Sequence, residues 1–153
     1  MLFRSVTAID LSANLVQLAD ERSPKDLAGG SITFKVGDML DPAMGRFEHV
    51  VSMDSLIHYP ADDIVRSLAA LASRTEKTIV FTFAPSTPLL EAMKMAGKLF
   101  PRSDRSPAIE PVAEKELRLR IAGAPELSGW TIGRSYRVKK PFYISQAMEL
   151  VRR

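Results

Sequence analysis

Three of the strands that the sequence predicts end on an acidic residue. The three are "SVTAID" (5–10) with Asp10, "SITFKV" (31–36) with Asp38 and "FEHVVSM" (47–53) with Asp54. The first strand is β-branched and apolar, which is typical of a buried strand, and the second alternates. Because ligands of open α/β sheets bind beyond the carboxyl ends of the strands, we expect a binding edge that carries several carboxylates.

Helices separate these strands. Ser12 is expected to cap a helix after the first strand, with Leu11 and Leu15 on its apolar face. Pro60 opens a second helix. It leads to a fourth strand, "KTIVFTF" (77–83), whose apolar composition predicts burial on both faces. The order strand–helix–strand–strand–helix–strand is typical of a doubly wound α/β sheet.

The pattern changes at Ala84. Residues 85–112 carry five prolines around one helical run, and a further helix follows them. Two alternating segments then end the chain, "WTIGRSYRV" (130–138) and "PFYISQAMELV" (141–151). Their short connection predicts an antiparallel hairpin. A Rossmann-like parallel sheet that closes with a C-terminal antiparallel hairpin resembles the class I S-adenosylmethionine-dependent methyltransferases.

Composition excludes several kinds of function. The chain has 153 residues and 46% hydrophobic content, as expected for one globular domain. It has no cysteine and only two histidines, which excludes disulfides, thiolate zinc and cysteine nucleophiles, so we predict no metal site. The net charge of +3 is not concentrated in one block, which argues against nucleic-acid binding. We find no signal peptide and no membrane span, which predicts a cytoplasmic protein.

Asp10 and His58 each allow two interpretations from the residues alone. A carboxylate at the position of Asp10 can accept hydrogen bonds from ribose hydroxyls, or it can simply cap the following helix. His58 follows a strand end by a few residues and so lies at the rim of the expected pocket, although a lone histidine is often a surface or capping group. We interpret the other histidine, His49, as structural because it lies within a strand.

Five motifs carry a closer resemblance. They are "VTAIDLSANLVQLA", "GDML", "MDSLIHYP", "TFAPSTPLL" and "FYISQAMELVRR". They resemble the magnesium-protoporphyrin IX methyltransferases of bacteriochlorophyll and chlorophyll synthesis, and the likeness extends from residue 5 to residue 153. The resemblance implies methyl transfer from S-adenosylmethionine to one propionate carboxyl of magnesium-protoporphyrin IX, giving the monomethyl ester. It also suggests magnesium chelatase as the partner that hands over the substrate.

The same resemblance implies roles for particular residues. Asp10 would hold the cofactor ribose, Asp38 and Met39 would hold the adenine, and His58 would be the active-site histidine. We also assign two residues to cofactor binding, Leu11 and Met53, and three to substrate binding, Tyr59, Met93 and Arg102.

The role of His58 follows from the substrate. A propionate, with a pKa of about 4.3, is already ionised at neutral pH, so a strong general base is not needed. The carboxylate must instead be aligned with the methyl group, and positioning should dominate the rate. His58 is therefore expected to act as a hydrogen-bonding or polarising group, or as an axial ligand of the porphyrin magnesium.

Residues 85–112 would form a lid-like insertion over a flat apolar substrate. Leu89, Met93 and Phe100 make an apolar stripe, and Arg102 is one of several cations that could meet the second propionate. A plain amphipathic helix with solvated lysines is the alternative. A third interpretation is peripheral contact with the inner or photosynthetic membrane, which suits a lipophilic porphyrin.

The family pattern begins earlier than this chain. Its N-terminal helices, first strand and glycine-rich cofactor loop have no counterpart here, because only "MLFR" precedes the strand 5–10. We therefore expect a single partial domain, 1–153, made of a cofactor-side part (1–84), the insertion (85–112) and a helix with the hairpin (113–153). The missing strand would leave apolar strand edges unpaired, and we expect catalysis to need the missing part.

Three other functions compete with this one. The chain could be a non-catalytic remnant that binds a porphyrin or a protein partner without the cofactor. It could also methylate another small carboxylic acid or a phenol, which predicts a closed substrate slot instead of a wide one. A nicotinamide-binding domain fits least, because the fingerprint glycines are absent.

Overall fold

The structure, a computed structural model, describes residues 5–24, 26–27, 29–87, 109–140 and 143–153. The chain divides into two compact units, Met1–Gly45 and Arg46–Arg153. The helices and strands are β1 (Ser5–Asp10), α1 (Ala13–Arg22), β2 (Ser31–Val36), β3 (Phe47–Ser52), α2 (Ala61–Ala72), β4 (Thr75–Phe83), α3 (Glu114–Gly123), β5 (Trp130–Lys140) and β6 (Tyr143–Arg152). Single 3-10 turns lie at Pro42–Met44, Leu56–His58 and Pro125–Leu127.

The N-terminal unit holds a two-stranded parallel sheet, in which β1 pairs with β2 from Ser5 opposite Ser31 onward. Ser12 is the N-cap of α1, as predicted, and its hydroxyl accepts a hydrogen bond from the Leu15 amide at 3.4 Å. The predicted burial is wrong. None of the described residues of this unit is buried, and Val6 and Leu15 are 43% and 56% exposed. Two strands and one helix of ten residues are too few to enclose a core.

The C-terminal unit holds a four-stranded sheet of order β3-β4-β6-β5. β3 and β4 are parallel, whereas β6 is antiparallel to both β4 and β5. The predicted closing hairpin is therefore confirmed, and it is joined to the parallel part through β6. Because β6 runs opposite to β4, its first residues lie at the carboxyl end of β4.

The core of the C-terminal unit lies on one face of this sheet. Ile79, Phe81 and Phe83 of β4 are fully buried, and α2 packs against this strand. The other fully or almost fully buried apolar side chains are Leu56, Ile64, Leu68, Leu71, Leu117, Leu127, Met148 and Leu150. The prediction that β4 is covered on both faces holds only in part, because Thr78 and Val80 of the second face are half-buried.

A polar network fastens α3 to the hairpin. The buried Gln146 accepts hydrogen bonds from Arg137 Nε at 2.9 Å and Nη2 at 2.6 Å, and its amide donates to Ser135 Oγ at 2.8 Å. Glu114 of α3 lies 2.9 Å from Arg118 and 3.7 Å from Arg137. Hydrogen bonding from Gln146, reinforced by Arg118, lowers the pKa of Glu114 below its ordinary value, although its burial opposes this.

The predicted insertion is described only at its two ends. Val112 donates its amide hydrogen to Ala84 O at 2.9 Å, and Ser86 donates to Val112 O at the same distance. The amide of Glu110 donates to Ile57 O at 2.9 Å. The helical run predicted between these ends falls on residues 88–108, which lie outside the described residues.

β1 and β3 each have one edge that pairs with no strand among the described residues. No helix in the described part of the chain is long and apolar enough to cross a bilayer.

Candidate functional site

Asp10 and Asp38 lie at the same carboxyl edge of the N-terminal unit. β1 and β2 are parallel, and Gly37 donates its amide hydrogen to Asp10 O at 3.0 Å, which brings the two acids to one edge. Each carboxylate uses Oδ1 for a local backbone amide, Asp10 for Ser12 at 2.7 Å and Asp38 for Leu40 at 2.8 Å. Both side chains are exposed. The local bond fixes the direction of each carboxylate and leaves further acceptor positions for a ligand.

The geometry of Asp10 is therefore compatible with both of its interpretations, hydrogen bonding at the start of the helix and hydrogen bonding to a ligand. Asp10 does bind a backbone amide at the start of α1, but the N-cap itself is Ser12. Leu11 is 77% exposed at this edge, and Met39 is half-buried. An exposed leucine beside two oriented carboxylates can provide an apolar surface for a flat ring, with acceptors at its rim.

His58 ends a 3-10 turn whose other end is firmly anchored. Leu56 is fully buried, and Tyr59 closes the turn by donating its amide hydrogen to Leu56 O at 3.1 Å. The turn ends here because Tyr59 precedes Pro60, which disfavours helical backbone, and Tyr59 is extended (φ −105°, ψ 135°). His58 and Tyr59 are half-buried. The chain therefore holds both side chains just beyond the carboxyl end of β3.

Asp54 has the most constrained geometry in this region. It follows β3 with a left-handed φ of 53°, which is rare for a residue other than glycine. Its amide donates to Thr82 Oγ1 at 2.7 Å, and the same hydroxyl donates to Asp54 Oδ1 at 3.2 Å. The hydroxyl of Tyr143 lies 3.2 Å from both carboxylate oxygens of Asp54. Met53, directly before Asp54, is 68% exposed.

The sequence alone does not indicate this cluster as a site. Asp54 is predicted only as a strand-end acid and Tyr143 only as part of the motif "FYISQAMELVRR", so neither residue is given a role. The two are 89 positions apart, so no local pattern could pair them. The sequence predicts the closing hairpin but not its partner strand. In the structure β6 returns antiparallel to β4, which places the start of β6 at the edge of the sheet where β3 and β4 end.

Some predicted site residues are not brought together by the described structure. Met93 and Arg102 lie outside the described residues. His49, interpreted as structural, contacts Thr78 of the neighbouring strand through Nδ1 at 2.6 Å. Among the described residues there is no cluster of histidine, aspartate and glutamate suited to a metal ion.

Two family models match the chain. The model of the magnesium-protoporphyrin IX methyltransferase C-terminus matches residues 52–152, and a methyltransferase domain model matches residues 2–77. The first match includes the His58 turn, Asp54 and the closing hairpin. It covers about two thirds of the chain.

Curated relatives extend the similarity to nearly the whole chain. A magnesium-protoporphyrin O-methyltransferase of Rhodobacter capsulatus is 46% identical over 144 residues, which cover 94% of this chain and 61% of that protein. The chloroplastic magnesium protoporphyrin IX methyltransferase of Arabidopsis thaliana is 31% identical over 95% of this chain and 46% of its own length. The chain thus spans about half to three fifths of these relatives.

Solved structures agree with the fold. Magnesium protoporphyrin IX methyltransferase from Synechocystis PCC 6803 with bound SAH matches with a TM-score of 0.76 and 28% identity, over 96% of this chain and 64% of that chain. A SAM-dependent methyltransferase from Methanosarcina mazei matches with a TM-score of 0.70 at 15% identity, over 97% of this chain and 82% of that one. The second match concerns the fold alone. The fold is that of the class I methyltransferases, and the chain belongs to the magnesium-protoporphyrin IX methyltransferase family.

Proposed function

We propose that this chain is part of an enzyme that transfers a methyl group from S-adenosylmethionine to one propionate carboxyl of magnesium-protoporphyrin IX. The product is the monomethyl ester, an intermediate of chlorophyll or bacteriochlorophyll synthesis. The observation that carries the proposal is the match of the family model to residues 52–152, together with 46% identity over 94% of the chain.

The residues of the N-terminal unit fit the cofactor. Asp10 and Asp38 offer oriented, exposed carboxylates at one edge, which suits the hydroxyls of a ribose and the amino group of an adenine. Leu11 and Met39 of this unit would provide apolar surface for the cofactor, and Met53, in the C-terminal unit, is proposed as a further cofactor contact. When bound, S-adenosylmethionine supplies an electrophilic methyl group on a sulfonium ion.

The substrate carboxylate needs orientation rather than deprotonation. A propionate is already ionised at neutral pH, so the contribution of the protein is to desolvate and align it. His58 ends the 3-10 turn that the buried Leu56 begins, and it would hydrogen-bond to the reacting carboxylate. Tyr59, the next residue, is proposed as a further substrate contact. Met93 and Arg102 are proposed as further substrate contacts.

The chemistry of the substrate also supports two proposals about context. Magnesium-protoporphyrin is made by metal insertion, so magnesium chelatase is the proposed partner that delivers it. The macrocycle is lipophilic and the chain carries a net charge of +3, which supports peripheral contact of a cytoplasmic protein with an anionic membrane surface.

The experiment uses the 153-residue chain. Binding of S-adenosylhomocysteine is measured by calorimetry, and transfer of labelled methyl to magnesium-protoporphyrin IX is measured in parallel. Asp10→Asn should weaken binding by about tenfold or more, the loss expected for hydrogen bonds to a charged group. Asp20→Asn, at an exposed acid on α1, is the matched control and should leave binding unchanged.

Two outcomes decide between the candidate functions. Methyl transfer that is lost in Asp10→Asn supports the enzyme. Porphyrin binding without cofactor binding supports the second candidate, a non-catalytic porphyrin-binding chain. A folded chain that binds neither ligand contradicts the second candidate, and it contradicts a cofactor site formed by this chain alone.

A further inference from the structure

Asp54, Thr82 and Tyr143 join three strands at the edge where the His58 turn begins. Asp54 follows β3, Thr82 lies near the carboxyl end of β4, and Tyr143 opens β6. Thr82 is 9% exposed, and its hydroxyl both accepts the Asp54 amide hydrogen and donates to the Asp54 carboxylate. The buried threonine therefore fixes the backbone and the side chain of Asp54 at the same time.

The chemistry of the pair fixes the direction of the remaining hydrogen bond. An ionised carboxylate can only accept, so the hydroxyl hydrogen of Tyr143 points to Asp54. The lone pairs of the phenol oxygen are then left for another group. Tyr143 is 46% exposed, so part of this residue is open to solvent. The site thus presents an acceptor oxygen that the neighbouring carboxylate orients.

Such an oxygen suits an electropositive group and not an anion. It would repel the propionates of the proposed substrate, which leaves the central magnesium ion as the part of that molecule that it can recognise. Magnesium is a hard cation that prefers oxygen ligands, so the phenol oxygen of Tyr143 suits it.

We propose that the phenol oxygen of Tyr143 recognises the magnesium ion of the porphyrin substrate, with Asp54 as the positioning residue that orients the phenol. The inference rests on the proposed function, since it assigns a group that distinguishes a magnesium porphyrin from a metal-free one. It assigns His58 to the carboxylate alone.

The left-handed backbone of Asp54 is consistent with this assignment. A φ of 53° is costly for most residues and persists where the surroundings enforce it. Here the enforcing contact is the hydrogen bond from the Asp54 amide to Thr82. This backbone conformation holds the carboxylate within 3.2 Å of the Tyr143 hydroxyl.

The test compares the binding of magnesium-protoporphyrin IX with that of metal-free protoporphyrin IX by absorption and fluorescence titration of the 153-residue chain. The wild-type chain should prefer the magnesium form. Tyr143→Phe should reduce the preference by about tenfold or more, and Asp54→Asn should reduce it in the same direction, as changes in metal ligands and their outer partners do. Tyr136→Phe is the matched control, because Tyr136 is an exposed tyrosine of β5 and should leave the preference unchanged.

His58→Ala and S-adenosylhomocysteine binding separate the possible causes. His58→Ala should keep the magnesium preference, and the cofactor product should bind Tyr143→Phe as it binds the wild type. The inference is overturned if Tyr143→Phe keeps the preference, if His58→Ala removes it, or if the wild type shows none. The proposed function is judged separately by methyl transfer, so either can fail while the other stands.

Discussion

At the scale of single residues, the left-handed backbone of Asp54 leads to a prediction about stability that does not depend on function. Asparagine and glycine tolerate a positive φ. Alanine does not, because it has a Cβ but no polar side-chain group that could form a local hydrogen bond. Asp54→Ala should therefore cost about 1–2 kcal/mol of the free energy of unfolding beyond the cost of Asp54→Gly. Urea denaturation of both variants measures the difference, and equal stabilities would contradict the strain.

Leu56 is the residue whose loss should disturb the His58 turn most. It is fully buried, and it begins the turn that His58 ends. Leu56→Ala should lower the free energy of unfolding by about 2–5 kcal/mol, because it leaves a cavity beneath the turn. Leu119→Ala, at a leucine that is 65% exposed, should change it by no more than about 0.5 kcal/mol. Similar losses for both variants would show that Leu56 does not anchor the unit.

At the scale of elements, the attachment of α3 to the hairpin should depend on pH. Hydrogen bonding from Gln146 and the charge of Arg118 keep the pKa of Glu114 lower in the folded chain than in the unfolded chain. The stabilisation is therefore complete above the ordinary value of 4.5 and is lost as the pH falls through the folded pKa.

Glu114→Gln removes this titration. Between neutral pH and pH 3, the wild type should lose more stability than Glu114→Gln, as measured by thermal unfolding across the pH series. Glu126→Gln, in the nearby 3-10 turn, is the matched control and should retain the acid dependence of the wild type. Parallel pH profiles for wild type and Glu114→Gln would contradict the role of Glu114 in the network.

The elements themselves could be predicted from the sequence because their signals are local. β1 and β2 have the bounds that their β-branched and alternating residues predict, and Ser12 caps α1 as expected. The site could be predicted only in part. That Asp10 and Asp38 share one edge could be predicted because parallel strands end at one edge, but the contact between Asp54 and Tyr143 depends on the order of strands along the sheet. Burial of β1 was misjudged because burial depends on what packs against a strand, which its own residues do not determine.

At the scale of the whole molecule, the two units differ in how much they bury. Arg46–Arg153 has a core in which many side chains are fully enclosed, whereas no described residue of Met1–Gly45 is buried. Regions with few buried apolar contacts open at a lower free energy than cores do.

Hydrogen exchange should reveal this difference. The amides of β1 and β2 should exchange faster than those of β4 and β6 under native conditions, as measured by mass spectrometry of peptides from each strand. Addition of S-adenosylhomocysteine should slow exchange in β1 and β2, if the N-terminal unit binds it as proposed. Equal protection of all four strands without ligand would contradict the difference in stability between the units.

The hydrogen bonds that join Ala84 to Val112 and Ile57 to Glu110 have a consequence for how the family can diversify. They fix the point where the chain leaves the sheet and the point where it returns. The entropic cost of connecting two fixed points grows slowly with length, by about 0.6 kcal/mol for each doubling. Evolution can therefore lengthen, shorten or replace the connecting segment at little thermodynamic cost, while the strands that carry Asp54 and Tyr143 remain in register.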